Sequence, residues 1–338
     1  MTDYRSDTIT QPTTAMLHAM FNAPVGDDVF EEDPSVNLLQ ERMALLFGME
    51  DALFCPSGTM ANQIAIKCHT QPGEEVICES MSHVYIYEAG GIAFHSGCQV
   101  KAVTGDRGRI SATQVQNLIN PNDIHKAPSR LVCLENTANR GGGSCYELTD
   151  IQEIKEVCLQ NNLKLHLDGA RLFNALVARQ QEPAWYGKTF NSISVCLSKG
   201  LGAPVGSVLI GDFDFIRRAR KYRKLFGGGM RQAGYLAAAG IFALDNHVER
   251  LQQDHQRAHE IAEALLQKSF TGHMLPVETN IIIFEVTGSD YTAASLAQAL
   301  KEHGILVIPI SATQVRIVLH LGITAEMVQH TIQVLNSL

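Results

Sequence analysis

The feature that most constrains the fold is an alternation of short apolar runs with amphipathic stretches between residues 51 and 210. Runs of this length, separated by helical patterns, are typical of strands in a mostly parallel sheet that carries helices on both faces. The pattern therefore predicts an α/β domain. The predicted strands are residues 52–55, 75–78, 99–103, 131–134, 163–167, 193–197 and 205–210.

The sequence on either side of this region predicts an arm and a second, smaller domain. Residues 1–14 are expected to form an N-terminal arm, and Asp33 before Pro34 is typical of a helix start. We expect the large domain to span residues 15–245 and a small C-terminal α+β domain to span 246–338. The elements predicted after Gly229 are a helical stretch at 231–270 with a break near Asn246, strands at 281–286, 305–308 and 315–319, and helices near 292–303 and 324–336.

Composition limits the partners and the compartment. A net charge of −8 with no basic block makes nucleic acid an unfavourable partner. The eight cysteines form no CxxC pair, which is typical of reduced core residues in a cytoplasmic protein and predicts no metal site. The first residues lack the apolar stretch of a signal peptide, and no run approaches the length of a membrane span.

Lys199 and Asp168 are the residues that most narrow the chemistry. Lys199 follows the predicted strand 193–197 and precedes a glycine-rich loop, where a lysine has no packing role. A lysine that can form a Schiff base and an acid that can hold a protonated ring nitrogen are the minimum set for pyridoxal phosphate chemistry. Alone, Asp168 would be interpreted as the N-cap of the next helix; together with Lys199, the cofactor role is favoured.

A candidate phosphate site precedes them in the sequence. Ser57, Gly58 and Thr59 lie between a predicted strand and a predicted amphipathic helix. Small residues at a helix start leave backbone N–H groups free at the positive end of the helix dipole, which suits a phosphate. An ordinary turn and N-cap is the alternative, and the segment taken alone favours it.

Two further residues are expected at the same edge of the sheet. His83 follows the predicted strand 75–78, where ligands of open α/β sheets collect. It could stack on a cofactor ring, although a histidine here is more often a loop or capping residue. Arg171 follows Asp168 closely and could bind the ring oxygen or a substrate carboxylate.

Three basic residues allow two interpretations each. Lys224 and Arg231 flank the glycines at 227–229 and are either solvated charges at a domain hinge or an anion clamp for a neighbouring subunit's phosphate. Arg316 lies in the predicted strand 315–319. It is either a surface edge residue or an anchor for a carboxylate, and spacing favours neither.

Together these segments resemble the L-threonine aldolases, which are pyridoxal phosphate enzymes of the aspartate aminotransferase fold (fold type I). The resemblance extends from Arg5 to beyond Arg316, and its motifs keep one order and spacing. The longest matching segments are 165–174 and 197–206. Shorter ones lie at 5–10, 56–60, 82–83, 134–137 and 227–232.

The resemblance implies a large domain with a mostly parallel seven-stranded sheet, a homotetramer and a role for each candidate residue. Lys199 would hold pyridoxal phosphate covalently, Asp168 would pair with its ring nitrogen, and His83 would stack on the ring. His83 and His125 would lie near the substrate's hydroxyl group. The phosphate would be held by Ser57, Gly58, Thr59, Lys224 and Arg231, the last two from a second subunit, and the substrate carboxylate by Ser6, Arg171 and Arg316.

The chain departs from the family pattern in two places. Phe30 and Glu31 stand where the family commonly has Tyr-Gly. Ala138 stands where a histidine is common, and the glycines at 141–143 follow it. These departures concern substrate range and stereopreference.

The reaction expected from the resemblance is retro-aldol cleavage of L-threonine or L-allo-threonine into glycine and acetaldehyde. Another pyridoxal phosphate reaction, such as β-elimination or transamination, is the first alternative. A nicotinamide-dependent dehydrogenase would need a G-x-G-x-x-G turn, which residues 55–62 do not supply. After the dehydrogenase, a non-catalytic binding protein on the same fold is the third alternative.

Overall fold

The computed structural model describes every residue from Met1 to Leu338. The helices are α1 (Thr14–Phe21), α2 (Pro34–Phe47), α3 (Gly58–His69), α4 (His83–Ile86), α5 (Ala112–Leu118), α6 (Leu148–Gln160), α7 (Leu172–Arg179), α8 (Pro183–Thr189), α9 (Phe213–Leu225), α10 (Gly234–Asn246), α11 (Leu251–Leu266), α12 (Ala293–Glu302) and α13 (Ala325–Ser337). The strands are β1 (Thr2–Asp3), β2 (Asp51–Cys55), β3 (Glu75–Glu79), β4 (Gln99–Val103), β5 (Ser129–Glu135), β6 (Lys164–Gly169), β7 (Ser192–Cys196), β8 (Ser207–Gly211), β9 (Thr271–Met274), β10 (Ile281–Val286), β11 (Ile305–Leu306), β12 (Ile308–Pro309) and β13 (Gln314–Val318).

The seven strands β2 to β8 form one sheet in the order β2-β8-β7-β6-β5-β3-β4. The pairs from β7 through β6, β5 and β3 to β4 are parallel, whereas β8 is antiparallel to both of its neighbours. This confirms the predicted mostly parallel sheet. Each predicted strand lies within two residues of the observed one. Six of the seven are mostly buried, and such runs give a continuous apolar signal, whereas the edge strand β4 is largely accessible.

Local sequence signals set both ends of α2. The Asp33 carboxylate accepts hydrogen bonds from the backbone N–H groups of Ser35 and Val36, and Pro34 occupies the first helical position of α2. Gly48 ends α2 in the left-handed region at φ 63°, a conformation that glycine adopts without strain. The predicted start of α2 is therefore confirmed.

The C-terminal sheet differs from the prediction in two ways. The predicted strand 305–308 is two strands, because the chain changes partner there: β11 pairs with β1 and β12 pairs with β13. The strand β9, which pairs with β10, was not predicted at all. Its sequence, Thr-Gly-His-Met, has one strongly apolar residue and so carries no strand signal.

The N-terminal arm is more ordered than an extended tail. Strand β1 adds to β11, and Tyr4 is fully buried in the apolar cluster of the C-terminal region. Its hydroxyl hydrogen-bonds the hydroxyl of Thr331 at 2.9 Å. The arm is therefore anchored on the C-terminal region, and a few residues further on Asp7 pairs with Arg171, which follows β6. The domain limits at residues 14, 245 and 246 stay predictions.

The helical stretch predicted at 231–270 consists of α10 and α11, with the break next to Asn246 where it was expected. None of the helices combines the length and the apolar character that crossing a bilayer requires. All eight cysteines carry free thiols.

Candidate active site

The carboxyl ends of the parallel strands bring the predicted acid and lysine to one edge of the sheet. In the registers of β5, β6 and β7, Glu135 lies opposite Asp168, and Asp168 lies opposite Ser194. Lys199 follows β7 in a turn closed by a 2.8 Å hydrogen bond from the Gly202 N–H to the Lys199 carbonyl. Gly202 has φ +80°, and a Cβ there would lie 2.9 Å from Leu321, so the turn requires glycine.

Asp168 is buried and aimed by two hydrogen bonds. One carboxylate oxygen accepts from the Ala170 N–H at 3.1 Å, and the other accepts from the Asn62 amide at 3.0 Å. The next helix, α7, has Arg171 as its N-cap and no side-chain capping bond. The alternative that Asp168 caps this helix is therefore wrong.

His83 lies at the first position of α4, above the end of β3. Its backbone N–H donates to Glu135 at 2.9 Å, and its ring Nδ1 lies 3.2 Å from Glu88 Oε1. Burial alone would lower the pKa of His83, but the Glu88 hydrogen bond and the charges of Asp168 and Glu88 raise it above its ordinary value. Since a carboxylate only accepts, Nδ1 carries the proton and Nε2 is free.

Glu88 is a site residue that the sequence analysis missed. Its side chain is fully buried and accepts hydrogen bonds from Asn62 at 2.9 Å and from Gln63 at 2.6 Å. Its polar atoms lie with those of His83 and Asp168 within 4.8 Å of one another. Two adjacent amides on the buried face of α3 were the available signal. We call Asn62, His83, Glu88 and Asp168 the acid side of the site.

A cationic group occupies the opposite side of the site. Arg171 is buried and donates from Nε and Nη2 to both oxygens of Asp7, at 2.7 Å each. Burial raises the pKa of Asp7, but the charge and hydrogen bonds of Arg171 outweigh it and hold the pKa below its usual range. Asp7, from the arm, was missed because its partner lies 164 residues away.

Arg316 completes this group from β13. It donates to the Asn139 side chain at 3.0 Å and to the carbonyl of Arg5 at 3.1 Å, so it lies beside Ser6. Its Nε is buried without a hydrogen-bond partner. Burial, together with the charge of Arg171, lowers the pKa of Arg316 to about 10. A surface edge position is therefore ruled out. We call Arg171, Lys199 and Arg316 the cation side.

Lys199 belongs to the cation side, and Ser6 follows the Arg5 carbonyl that Arg316 contacts. The Ser6 hydroxyl accepts from the Thr8 N–H and caps the short helix Asp7–Ile9. Lys199 is half-buried, makes no ion pair or hydrogen bond through its amine, and lines a small cavity together with Arg171. An amine with no partner inside the chain is available to a ligand.

The predicted phosphate loop lies against the same edge. α3 begins at Gly58, and the Ser57 hydroxyl accepts from the Met60 N–H at 3.1 Å. Ser57 is therefore the N-cap of this helix. A Cβ on Gly58 would lie 2.6 Å from the Cys196 sulfur, so the helix start touches the end of β7. Ser57 and Thr59 are exposed there.

The remaining predicted residues do not join the site within one chain. Arg231 is exposed and pairs with Asp27 at 2.9 Å, and Lys224 is exposed at the end of α9. Neither makes a hydrogen bond or ion pair with the Ser57 loop. His125 is exposed on the loop before β5, at the amino end of that strand and so across the sheet from Asp168. Its expected place near the substrate is wrong for a site built by one chain.

The residues at this edge fit pyridoxal phosphate. Lys199 offers a free amine, Asp168 a buried acceptor, and the start of α3 an exposed end for a phosphate. The His83 ring keeps 32% of its surface accessible between them. The unpaired Nε of Arg316 adds a donor for an anion on the other side.

Comparison with known proteins agrees with this geometry. The beta-eliminating lyase family matches residues 3–289. A low-specificity L-threonine aldolase of Arabidopsis thaliana is 44% identical over 98% of this chain and 94% of its own length. Its counterpart in Escherichia coli K12 is 43% identical over 96% of both chains.

A solved structure gives the same result at the level of the fold. The threonine aldolase of Leishmania major superposes with a TM-score of 0.86 over 100% of this chain and 99% of that one, at 19% identity. Its fold is therefore that of this chain. The identities exceed 40% over nearly the whole length, and the family match covers residues 3–289. The chain therefore belongs to the beta-eliminating lyase family and, within it, to the L-threonine aldolases.

Proposed function

We propose that the chain cleaves L-threonine, L-allo-threonine and related β-hydroxy-α-amino acids into glycine and an aldehyde, with pyridoxal phosphate as cofactor. The observation that carries the proposal is the meeting of an unpaired amine, a buried acid, the buried Arg171 and the half-buried Arg316 at one sheet edge. This set suits an amino acid, which has one carboxylate to anchor and one amine to exchange. The two relatives named as low-specificity L-threonine aldolases support it.

The cofactor residues divide the work. When bound, pyridoxal phosphate supplies an electron sink that stabilises negative charge at the α-carbon. Lys199 would hold the cofactor through its amine, which is the group that a substrate amine would replace. Asp168 would accept from the ring nitrogen, and the start of α3 at Ser57, Gly58 and Thr59 would hold the phosphate.

The cation side anchors the substrate carboxylate. Two of the Arg171 nitrogens are held by Asp7, which leaves Nη1 as its free donor. The orphaned Nε of Arg316 is the second free donor, and Ser6 directly follows Arg5, whose carbonyl accepts from Arg316 Nη2. Fixing the carboxylate by two guanidinium groups orients the bonds at the α-carbon, which lowers the entropic cost of the reaction.

His83 is the base in this proposal. Its Nδ1–H is held by Glu88, so Nε2 accepts the proton of the β-hydroxyl group as the Cα–Cβ bond breaks. A raised pKa makes this nitrogen a stronger base and confines it to higher pH. The electron pair left at the α-carbon then takes up a proton to give glycine.

The site is shared between subunits in this proposal, which expects a homotetramer. Lys224 and Arg231 are exposed and do not meet their own phosphate loop, so they act on a neighbour's. His125 contributes only if a neighbouring subunit delivers it. Tyr85, Ile86 and Tyr87 are each at least 40% exposed beside the site, an apolar surface that assembly would cover.

Mixing subunits tests this sharing. Lys199→Ala and Lys224→Ala homomers are each expected to be poorly active. After unfolding and refolding together, mixed assemblies contain sites with both native lysines and regain activity. A mixture no more active than its components would contradict shared sites.

A cytoplasmic location is part of the proposal. Eight free thiols are compatible with a reducing compartment, where disulfides are rare. Fractionation with a marker enzyme tests it, and recovery with membrane or secreted fractions would contradict it.

Product analysis tests the reaction itself. The alternative to be separated from it is β-elimination or transamination, whose products are ammonia or a keto acid. L-threonine, L-allo-threonine and phenylserine are each incubated with the holoenzyme, and aldehyde, glycine, ammonia and keto acid are quantified. We expect glycine and aldehyde in equal amounts; ammonia with keto acid would mean elimination.

A further inference from the structure

A line of polar side chains runs beneath α3, in an interface that is otherwise apolar. Asn62 and His69 are seven residues apart on α3, which places them on one face of the helix. His166 and Asp168 on β6, and Ser192 and Ser194 on β7, are each two residues apart and so face the same side of the sheet. All of them except His69, which is half-buried, are at most 2% exposed.

Hydrogen bonds join these side chains into one path. His69 Nε2 lies 2.8 Å from Ser192 Oγ, and Ser192 Oγ lies 2.8 Å from His166 Nδ1. His166 Nε2 lies 3.1 Å from Asn62 Oδ1. The Asn62 amide then donates to Asp168 at 3.0 Å and to Glu88 at 2.9 Å.

The direction of every bond in this path follows from its inner end. Carboxylates only accept, so the Asn62 NH₂ must face Asp168 and Glu88, and its oxygen must face His166. His166 therefore carries its proton on Nε2. Burial lowers the pKa of His166 to about 4, so the ring is neutral near pH 7 and its Nδ1 must accept from the Ser192 hydroxyl.

The hydrogen bond between His69 and Ser192, at the outer end of the path, is assigned in the same way. With its hydrogen committed to His166, the Ser192 oxygen accepts from His69, which therefore carries its proton on Nε2. Burial, together with His166, Lys164 and Arg218, lowers the pKa of His69 well below its ordinary value, so this ring is neutral as well. All donors thus point from His69 towards Asp168, and hydrogen bonds aligned in one direction polarise one another.

We propose that His69, Ser192, His166 and Asn62 form a one-directional hydrogen-bond chain that fixes Asp168 as an acceptor for the cofactor's ring nitrogen and keeps it apart from Glu88. Asn62 and His166 are thus positioning residues for the reaction. The role towards the ring nitrogen rests on the proposed function. The direction of the chain does not, because it follows from the protein's own atoms.

The Asn62 amide is the key element of this arrangement. It lies between two buried carboxylates and donates one N–H to each, so that it separates two like-charged groups. Its oxygen takes a second hydrogen bond from the Ser194 hydroxyl at 2.5 Å, which fixes the amide plane. The chain therefore controls two acids at once: one for the cofactor and one for His83.

The tautomer of His166 tests the direction of the chain. The holoenzyme is labelled with ¹⁵N-histidine, and its nitrogen shifts are measured by solid-state NMR, with His166 assigned through His166→Gln. We expect a neutral ring protonated on Nε2 at pH 7.5. A proton on Nδ1, or an imidazolium, would overturn the proposal even if the enzyme cleaves threonine.

Paired variants test the role of the chain. His255 is a matched control: it is buried, bonds an asparagine oxygen through Nε2 at 3.0 Å and has a pKa lowered by burial to about 4, but its partner Asn174 bonds no carboxylate. His166→Phe and His255→Phe should lose similar thermal stability. Only His166→Phe should shift the pH titration of the bound cofactor's visible absorption and lower kcat, roughly 10- to 100-fold with little change in KM.

Two further variants keep the proposal open to failure. His166→Gln retains a donor and an acceptor and should recover most of kcat. Asn62→Leu should weaken pyridoxal phosphate binding at least tenfold in equilibrium dialysis, a measurement independent of turnover. Equal behaviour of His166→Phe and His255→Phe, or unchanged cofactor affinity in Asn62→Leu, would overturn the positioning role.

Discussion

The acid side and the cation side of the site lie close together but differ in how their polar atoms are satisfied. On the acid side, Asp168 and Glu88 have partners on both oxygens, supplied by α3, His83 and the backbone. On the cation side, Lys199 has no partner and Arg316 has an orphaned Nε. A satisfied group is held in place before any ligand arrives, whereas an unsatisfied buried donor favours a ligand that supplies the missing acceptor.

The difference matches the two tasks of the site, which are to hold the cofactor and to bind the substrate. The cofactor must meet the same geometry in every turnover, so its acid is rigid. The substrate enters and leaves, so each of its anchors keeps one donor without a partner, although its other donors are paired. Variants that change one side only can test whether this division holds.

The largest effect is expected on the cation side from Lys199→Ala. Loss of the amine should lower turnover by roughly 1,000-fold or more, because no other amine lies free at this edge. Borohydride reduction followed by mass spectrometry should show a cofactor adduct on the wild-type chain and none on the variant. A variant that keeps full activity would contradict the assignment of Lys199 as the residue that holds the cofactor.

The next effect concerns the arm. Asp7→Asn leaves Arg171 buried without its counter-charge and should cost about 3–5 kcal/mol of unfolding free energy in urea titration. Because the pKa of Asp7 is lowered in the folded state, its contribution is present above its unfolded pKa of about 3.9 and is lost as pH falls through the lower folded value. The stability gap between wild type and variant should therefore close in acid.

Asp254→Asn is the matched control for Asp7→Asn. Asp254 is also fully buried and paired with an arginine, Arg250, but neither residue hydrogen-bonds or ion-pairs with a residue of the acid side or the cation side. Both variants should lose stability, and only Asp7→Asn should also raise KM for L-threonine. An equal effect on KM would show that Arg171 is not an anchor.

A smaller effect is expected from Arg316→Met. Removing one charged donor should raise KM for L-threonine roughly 10- to 100-fold, which corresponds to a hydrogen bond of about 1.5–3 kcal/mol, with cofactor binding retained. Arg257→Met is the control, since Arg257 bonds only the Ile323 carbonyl in the same region. Loss of cofactor from Arg316→Met would move this residue to the other side of the site.

The smallest effect is a shift along the pH axis. Glu88 raises the pKa of His83, and a base acts only when deprotonated, so the acidic limb of kcat should lie above the ordinary pKa of histidine. Glu88→Gln removes that cause and should move the limb to lower pH. A limb that stays in place would mean that His83 is not the base, or that Glu88 does not tune it.

The sequence predicted the elements whose signal is local. The seven strands of the large sheet are apolar runs, and the start of α2 is a two-residue capping signal at Asp33 and Pro34. The strands β1 and β9 were not predicted, because their short or polar sequences are strands only through their partners. Pairing between distant segments is a tertiary effect that periodicity does not contain.

The site divides in the same way. Lys199, Asp168, Ser57 and Gly58 follow strands or open a helix, and sequence position alone places them at the correct edge. The sequence did not indicate Asp7, Asn62 or Glu88, because their roles depend on hydrogen bonds to residues that are 25 to 164 positions away in the sequence. A signal was present in strands β6 and β7, where alternate polar residues in buried runs required partners on the covering helix.

A crystal structure with pyridoxal phosphate and glycine, the expected product, tests the division most directly. The account predicts the ring nitrogen against Asp168, with the Asn62 amide unmoved, and the glycine carboxylate on Arg171 Nη1 and Arg316 Nε. A carboxylate bound on the acid side, or Asp168 turned away from the ring nitrogen, would contradict it.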